Sequence, residues 1–296
     1  MLMGALGGVL PHAAAAGAQQ LGATDLLVRL YLNEISQIVV SSRYHLLFPH
    51  GPSVTALVEL RDGRLASASV DSTVRIWDAA TGACTILLTV PLRRWYKALV
   101  EVRDGQLASA SWDMTVRIWD AATGDPVRTL EGHTEMVTEL VALSNGRLAS
   151  ASWDMTVRIW DAATGTCTRT LVVQTLGWVE VLVELRDGRL ASASIDGTVS
   201  IWDAAKGECV RTLEGHTARV STLAELRDGW LASSGWDGTV RIWDVETGEC
   251  VRTLEGQTRV VFKLVLLRDG QLAGVRQGGD LLIWDAATTA SLSSRS

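Results

Sequence analysis

Short apolar runs recur along the chain in a fixed order, each closed by a turn signal. A run such as VTALVEL (Val54–Leu60) leads to an Asp-Gly or Asn-Gly pair. LASAS follows, then an Asp-led turn, the alternating run VRIW closed by Asp, a Thr-Gly turn and a last run such as CVRTL. Runs this short, rich in β-branched residues and bounded by Gly and Asp, predict strands, four to each cycle. Alternation in VRIW points Val74 and Ile76 to one face and Arg75 and Trp77 to the other. The pairs Asp62-Gly63, Asp104-Gly105, Asn145-Gly146, Asp187-Gly188, Asp228-Gly229 and Asp269-Gly270 predict hairpin turns, where positive φ is tolerated.

The cycle is a true repeat. Leu107–Gly124, LASASWDMTVRIWDAATG, recurs letter for letter at Leu148–Gly165. Trp-Asp pairs begin at Trp77, Trp119, Trp160, Trp202, Trp243 and Trp284, in steps of 42, 41, 42, 41 and 41 residues. A period in the low forties assigns one propeller blade to each cycle.

Six Trp-Asp signs, together with Gly-His, Ser and turn Asp, resemble the WD-repeat family of β-propellers from about His50 to Asp285. The resemblance implies an all-β propeller of six blades, or seven if the N-terminal stretch forms a degenerate blade. It also implies that His, Ser, Asp and Trp of one repeat form a hydrogen-bonded network inside its blade. The matching sets are His50, Ser67, Asp71, Trp77; His133, Ser150, Asp154, Trp160; and His216, Ser233, Asp237, Trp243. Pro91 and Gln174 stand at the His position of the second and fourth repeats, and the sixth has Gln257, Gly274 and Gly278 for His, Ser and Asp. Intact sets therefore alternate, as though an 83-residue pair had been used three times.

The expected domains are an N-terminal segment 1–42, partly disordered, a propeller over 43–289 and a disordered tail 290–296. Met1–Gln20 is apolar and Ala-rich, with no Lys or Arg before Arg29, a poor match to a signal peptide. Thr24–Val40 reads either as a helix or, at QIVVSS, as a strand. Tyr44–Leu47 aligns with the outer strand of the repeats, so it is expected to complete the last blade and close the ring, removing exposed edges.

Composition narrows the function. At 47% apolar over 296 residues the chain buries a large core. A net charge of −6 without Lys or Arg runs argues against nucleic-acid or anionic-membrane surfaces. Cys84, Cys167, Cys209 and Cys250 each follow a repeat Trp by seven residues. Equivalent positions on separate blades lie beyond the roughly 7 Å Cα reach of a disulfide, so they are expected to be packed thiols in a reducing compartment, the cytoplasm or nucleus.

His133 with Asp154 and His216 with Asp237 could be taken for acid–base pairs. Their recurrence from blade to blade argues for structure instead, since an active site needs one unique constellation. No catalytic residue, metal ligand or cofactor is assigned. The informative residues are those that vary over the frame. Trp112, Trp153 and Trp236 precede the turn Asp, and Trp95 and Trp178 precede the first strand, so all five are expected on one rim, the top face. Met136, Lys97, Glu180, Arg219 and Phe262 vary around them. An indole cage with Glu180 for a partner's cation is one sharper possibility. The expected function is a non-catalytic scaffold, monomeric within a larger assembly, that binds protein or peptide partners through these residues. A substrate-recognition subunit of a ubiquitin ligase is the alternative, although the Arg of a Trp-Asp-x-Arg sign is replaced by Ala80, Ala122, Ala163, Ala205, Glu246 and Ala287.

Overall fold

A computed structural model describes the backbone of 38–41 and 44–47 and residues 54–89, 95–102, 105–174, 177–227, 229–254, 260–276 and 280–285. The described residues form antiparallel sheets in chain order, with no helix among them. Five sheets have four strands, beginning with the inner strands Val54–Glu59, Tyr96–Glu101, Val137–Ala142, Val179–Glu184 and Val220–Glu225. The sixth has three described strands, Val261–Leu266, Gln271–Arg276 and Leu281–Asp285. Each is a simple meander, one per sequence repeat.

The predicted turns at Gly63, Gly146, Gly188 and Gly270 are present, and the Gly carries the burden; Asp104 and Asp228 lie outside the described residues. Gly63, for example, sits at φ +84° and donates to the Leu60 carbonyl at 2.9 Å, a conformation that a Cβ would oppose. The preceding Asp does not take positive φ. In the turn between second and third strands, Ser72, Met114 and Met155 have φ of 69°, 70° and 64°. Non-Gly residues pay roughly 1–2 kcal/mol to sit there.

Sheets pack face to face through the alternation read from VRIW. Val74 and Ile76 are fully buried beneath Tyr96, Leu107 and Trp119 of the second blade. Val116 and Ile118 lie likewise beneath Val137, Leu140 and Trp160 of the third. Three more clusters of the same kind join third to fourth, fourth to fifth and fifth to sixth. Inner strands of consecutive blades pack side by side from the first to the sixth.

The sixth blade ends this series. Leu281 and Ile283, at the positions of Val74 and Ile76, are 45% and 46% exposed, and no comparable inner-strand contact joins the sixth sheet to the first among the described residues. Nor does Tyr44–Leu47 make the expected pairing with the last blade. It pairs with Ile38–Ser41 in a two-stranded sheet of its own, strands so near in sequence having the shorter loop to close. That sheet takes the strand alternative for QIVVSS; residues 24–37 lie outside the described residues.

Every inner strand carries a β-bulge one residue in. A bulge leaves one residue out of the ladder and re-aims its side chain. In alternate blades that residue is a hydroxyl. Thr55, Thr138 and Ser221 donate to Tyr96 O (2.6 Å), Val179 O (2.8 Å) and Val261 O (2.8 Å) of the following blade. In the blades between, the bulged residue is Lys97, Glu180 or Phe262.

Two expectations about the cysteines separate here. All four are free and lie on outer strands, but Cys84 and Cys209 are exposed rather than packed, while Cys167 and Cys250 are half-buried.

Candidate interaction surface

The structural network comes first, since it holds the rim in place. In the third blade the Trp160 indole N–H donates to Ser150 Oγ (2.8 Å), which lies 2.7 Å from His133 Nε2. His133 Nδ1 lies 2.7 Å from Asp154 Oδ2, which also accepts the Thr134 N–H. The fifth blade repeats this with Trp243, Ser233, His216 and Asp237 at 2.7, 2.7 and 2.8 Å. An ionised Asp accepts from Nδ1–H, which leaves Nε2 to accept the Ser hydroxyl proton. In the first blade Trp77 donates to Ser67 (2.7 Å) and Asp71 accepts from Thr73; His50 lies outside the described residues.

Electrostatics follow from the burial. Burial works to raise the Asp154 carboxyl, and the bonds from His133, Thr156 and Thr134 outweigh it, holding the group well below its ordinary range. Burial holds the His216 ring below its ordinary value, against the pull of Asp237. Burial likewise opposes the Thr239 bonds at Asp237, which lower it on balance. Both His side chains are shut from solvent, so neither presents a nitrogen to a substrate.

The Trp-to-Ser bond does not depend on His. Trp119 donates to Ser109 and Trp202 to Ser192, each at 2.8 Å, in the blades that lack it. Sequence reasoning passed over these pairs because it followed the complete sets. In the sixth blade Gly274 replaces Ser, and the Trp284 ring fills the space, so that a Cβ on Gly274 would meet it at 2.8 Å.

On this frame the rim is built from two positions joined by one backbone bond. The residue before the turn Asp donates its N–H to the residue before the inner strand: Trp112 to Trp95, Trp153 to Met136, Ile195 to Trp178, and Trp236 to Arg219, at 2.8–3.0 Å. The two sets that sequence placed on one rim are therefore direct neighbours.

Their side chains pair further. Trp95 and Trp112 lie with centroids 4.3 Å apart and planes tilted by 50° within the second blade. Trp153 of the third blade stacks on Trp178 of the fourth at 4.1 Å and 12°. Trp95, Trp112, Trp178 and Trp236 nevertheless remain 37–50% exposed, whereas Trp153 is half-buried and its indole N–H has no partner. Exposed Met114 adds to the same edge, a residue that its positive φ marks and that sequence reasoning missed.

The polar residues divide. Arg219 reaches back to the fourth blade, where Nη2 meets Glu180 Oε2 at 2.6 Å, while its guanidinium lies 4.9 Å from the Trp236 ring centroid. A cage in which Glu180 receives a partner's cation is thus corrected: the chain's own Arg219 already holds both the carboxylate and the indole. Lys97 is exposed and Met136 and Phe262 are half-buried; of the three, Met136 meets the indole pairs, through its carbonyl, which accepts the Trp153 N–H at 3.0 Å. Trp230, by contrast, packs on the core between the fifth and sixth blades.

The family model described as "WD domain, G-beta repeat" matches residues 41–78, 101–120, 124–161, 165–203 and 207–244, more than half of the chain. No curated protein sequence matches it.

Proposed function

The chain belongs to the WD-repeat family, whose domains serve generally as non-catalytic scaffolds for protein–protein contacts, and we propose that its own partners dock on the tryptophan rim. One observation carries this reading: four indoles from three blades stand 37–50% exposed on one edge, held by the shared backbone bond and by stacking. Aromatic side chains that are both rigid and exposed lose little entropy on binding, and Trp leads the residues found at binding hot spots. Met114 and Met155 support it from the backbone, since strained φ persists where function holds it.

The partner is a protein or peptide with an apolar anchor that seats on the Trp95–Trp112 and Trp153–Trp178 pairs, beside the internally neutralised Glu180–Arg219 pair. The cytoplasm is the compartment that suits exposed, free Cys84 and Cys209. Affinity capture from cell lysate with Trp95→Ala, Trp178→Ala and Trp236→Ala combined is expected to lose partners that the parent chain retains. Leu87→Ala with Val172→Ala, equally exposed but on outer strands, is expected to keep them. Equal capture by all three proteins, with melting unchanged, would sink the rim reading.

A further inference from the structure

The inner strands begin at the tryptophan rim and end at the opposite face, and their last residues are Glu59, Glu101, Ala142, Glu184, Glu225 and Leu266. Three of these glutamates do one job. Each reaches the hairpin turn of the preceding blade and accepts its backbone N–H: Glu101 from Arg61 at 2.8 Å, Glu184 from Ser144 at 2.9 Å and Glu225 from Arg186 at 2.9 Å. Glu184 takes the Ser144 hydroxyl as well, at 2.8 Å. The fold thus has a carboxylate station between consecutive blades, next to the turn.

Between the second and third blades that station carries Ala142, and a cleft of about 180 Å³ opens there. It is lined by Arg61, Val102, Ala142, Leu143, Ser144 and Arg147. At the other interruption, Leu266 supplies bulk, and Arg227 spans the gap to the Arg268 carbonyl at 2.7 Å. Beside Ala142 no side chain among the described residues takes up the volume. The two arginines give the cleft its sign. The Arg61 side chain is 66% exposed and only 3.9 Å at its nearest from Glu101, and Arg147 Nε donates to Asn145 Oδ1 at 3.3 Å. Guanidinium groups so placed have further N–H donors, and carboxylate is the partner their geometry fits. The apolar floor of Val102, Ala142 and Leu143 lowers the local dielectric and strengthens such a bond.

We propose that this cleft is a second binding site, on the face away from the tryptophan rim, which takes one carboxylate of a protein partner where the other blades supply their own Glu. An internal Glu or Asp and a free C-terminus share this chemistry. Both would place the carboxylate between Arg61 and Arg147 with an apolar neighbour against Val102 and Leu143.

Fluorescence anisotropy on the full chain tests it with three labelled probes. One is an amidated peptide with an internal Glu beside Leu, the second a peptide ending in Leu with a free carboxylate, and the third the first probe with Gln for Glu. Saturable binding of either acidic probe, at least about tenfold tighter than the Gln probe, is expected. A142E, which restores the residue found at most equivalent positions, is expected to fold and to weaken that binding about tenfold or more, as is R147Q. Preference for one acidic probe assigns the source. No saturation by either acidic probe up to about 5 mM, or binding that A142E leaves unchanged, overturns the site.

Discussion

The third and fifth blades contain His and the second and fourth do not, and the same frame solves its rim differently in the two cases. Where His is present it occupies Asp154 or Asp237. The strand-three arginine is then released to lie about 6 Å from the Trp ring centroid, with Nη1 near Cys Sγ: Arg158 at 6.0 and 3.9 Å, Arg241 at 5.9 and 3.8 Å. In the second blade Arg117 instead takes the Asp itself, at 2.6 Å from Asp113, and leaves its Nη1 buried without a partner. The fourth blade has Ser200 there and leaves Asp196 exposed. What the His-free blades add is indole: Trp95 and Trp178. The difference teaches that the His and the indole before the inner strand are alternative ways to finish the same loop, on a rim to which the His blades also add Trp153 and Trp236. One spends its polar groups inward, and the other leaves an apolar surface outward.

That contrast is broken most forcefully at His133. His133→Ala leaves Asp154 nearly buried without its main partner, and removal of one member of a buried pair costs about 3 kcal/mol or more. Arg117→Ala in the second blade, whose pair is partly exposed, is expected to cost under about 1 kcal/mol. Urea midpoints of the two variants check the order, and equal midpoints would erase the distinction.

Acid gives the next largest effect. The folded chain holds His216 below 6.5 and Asp154 and Asp237 below 3.8, so the unfolded chain binds more protons than the folded one in both windows. Stability is therefore fully present above about pH 6.5 and declines as pH falls below it through His216. It declines again below the carboxylate range, as the two Asp protonate. Melting temperatures from pH 8 to pH 3 are expected to show both declines, and His216→Gln to lack the first.

Smaller effects sharpen the rim. Met114→Gly and Met155→Gly relieve positive φ and are expected to stabilise the chain by roughly 1 kcal/mol each, while Met114→Gly weakens partner capture. A gain in stability with capture intact would separate the strain from binding. Least of all, Arg219→Ala removes a partly exposed ion pair and an indole contact, worth under about 1 kcal/mol together. Its loss is expected to shrink in high salt.

Much of this was legible in the residues. The strands, the Gly-bearing turns and the opposed faces of VRIW follow from a period of two and from turn chemistry, both local. The complete networks of the third and fifth blades were legible for another reason: the resemblance to the WD-repeat family implied them, although their partners lie 10 to 23 residues apart. The five rim tryptophans were placed on one edge, yet their pairing was not. Trp112 turns to Trp95 of its own blade, whereas its copy Trp153 turns to Trp178 of the next, though the two lie in an identical stretch of sequence. What differs is the neighbour, Met136 at one position and Trp95 or Trp178 at the others.

The sequence alone, then, determined the repeating sheet, its inward and outward faces and the edge on which variable residues gather, because alternation and turn residues act within a few positions. Only the tertiary structure decided that Arg219 claims Glu180, that no sheet among the described residues covers Leu281 and Ile283, and that Ala142 opens a cleft between two arginines. Each of these depends on which blade lies alongside, and contacts between residues some forty positions apart are set by packing, which no local pattern encodes.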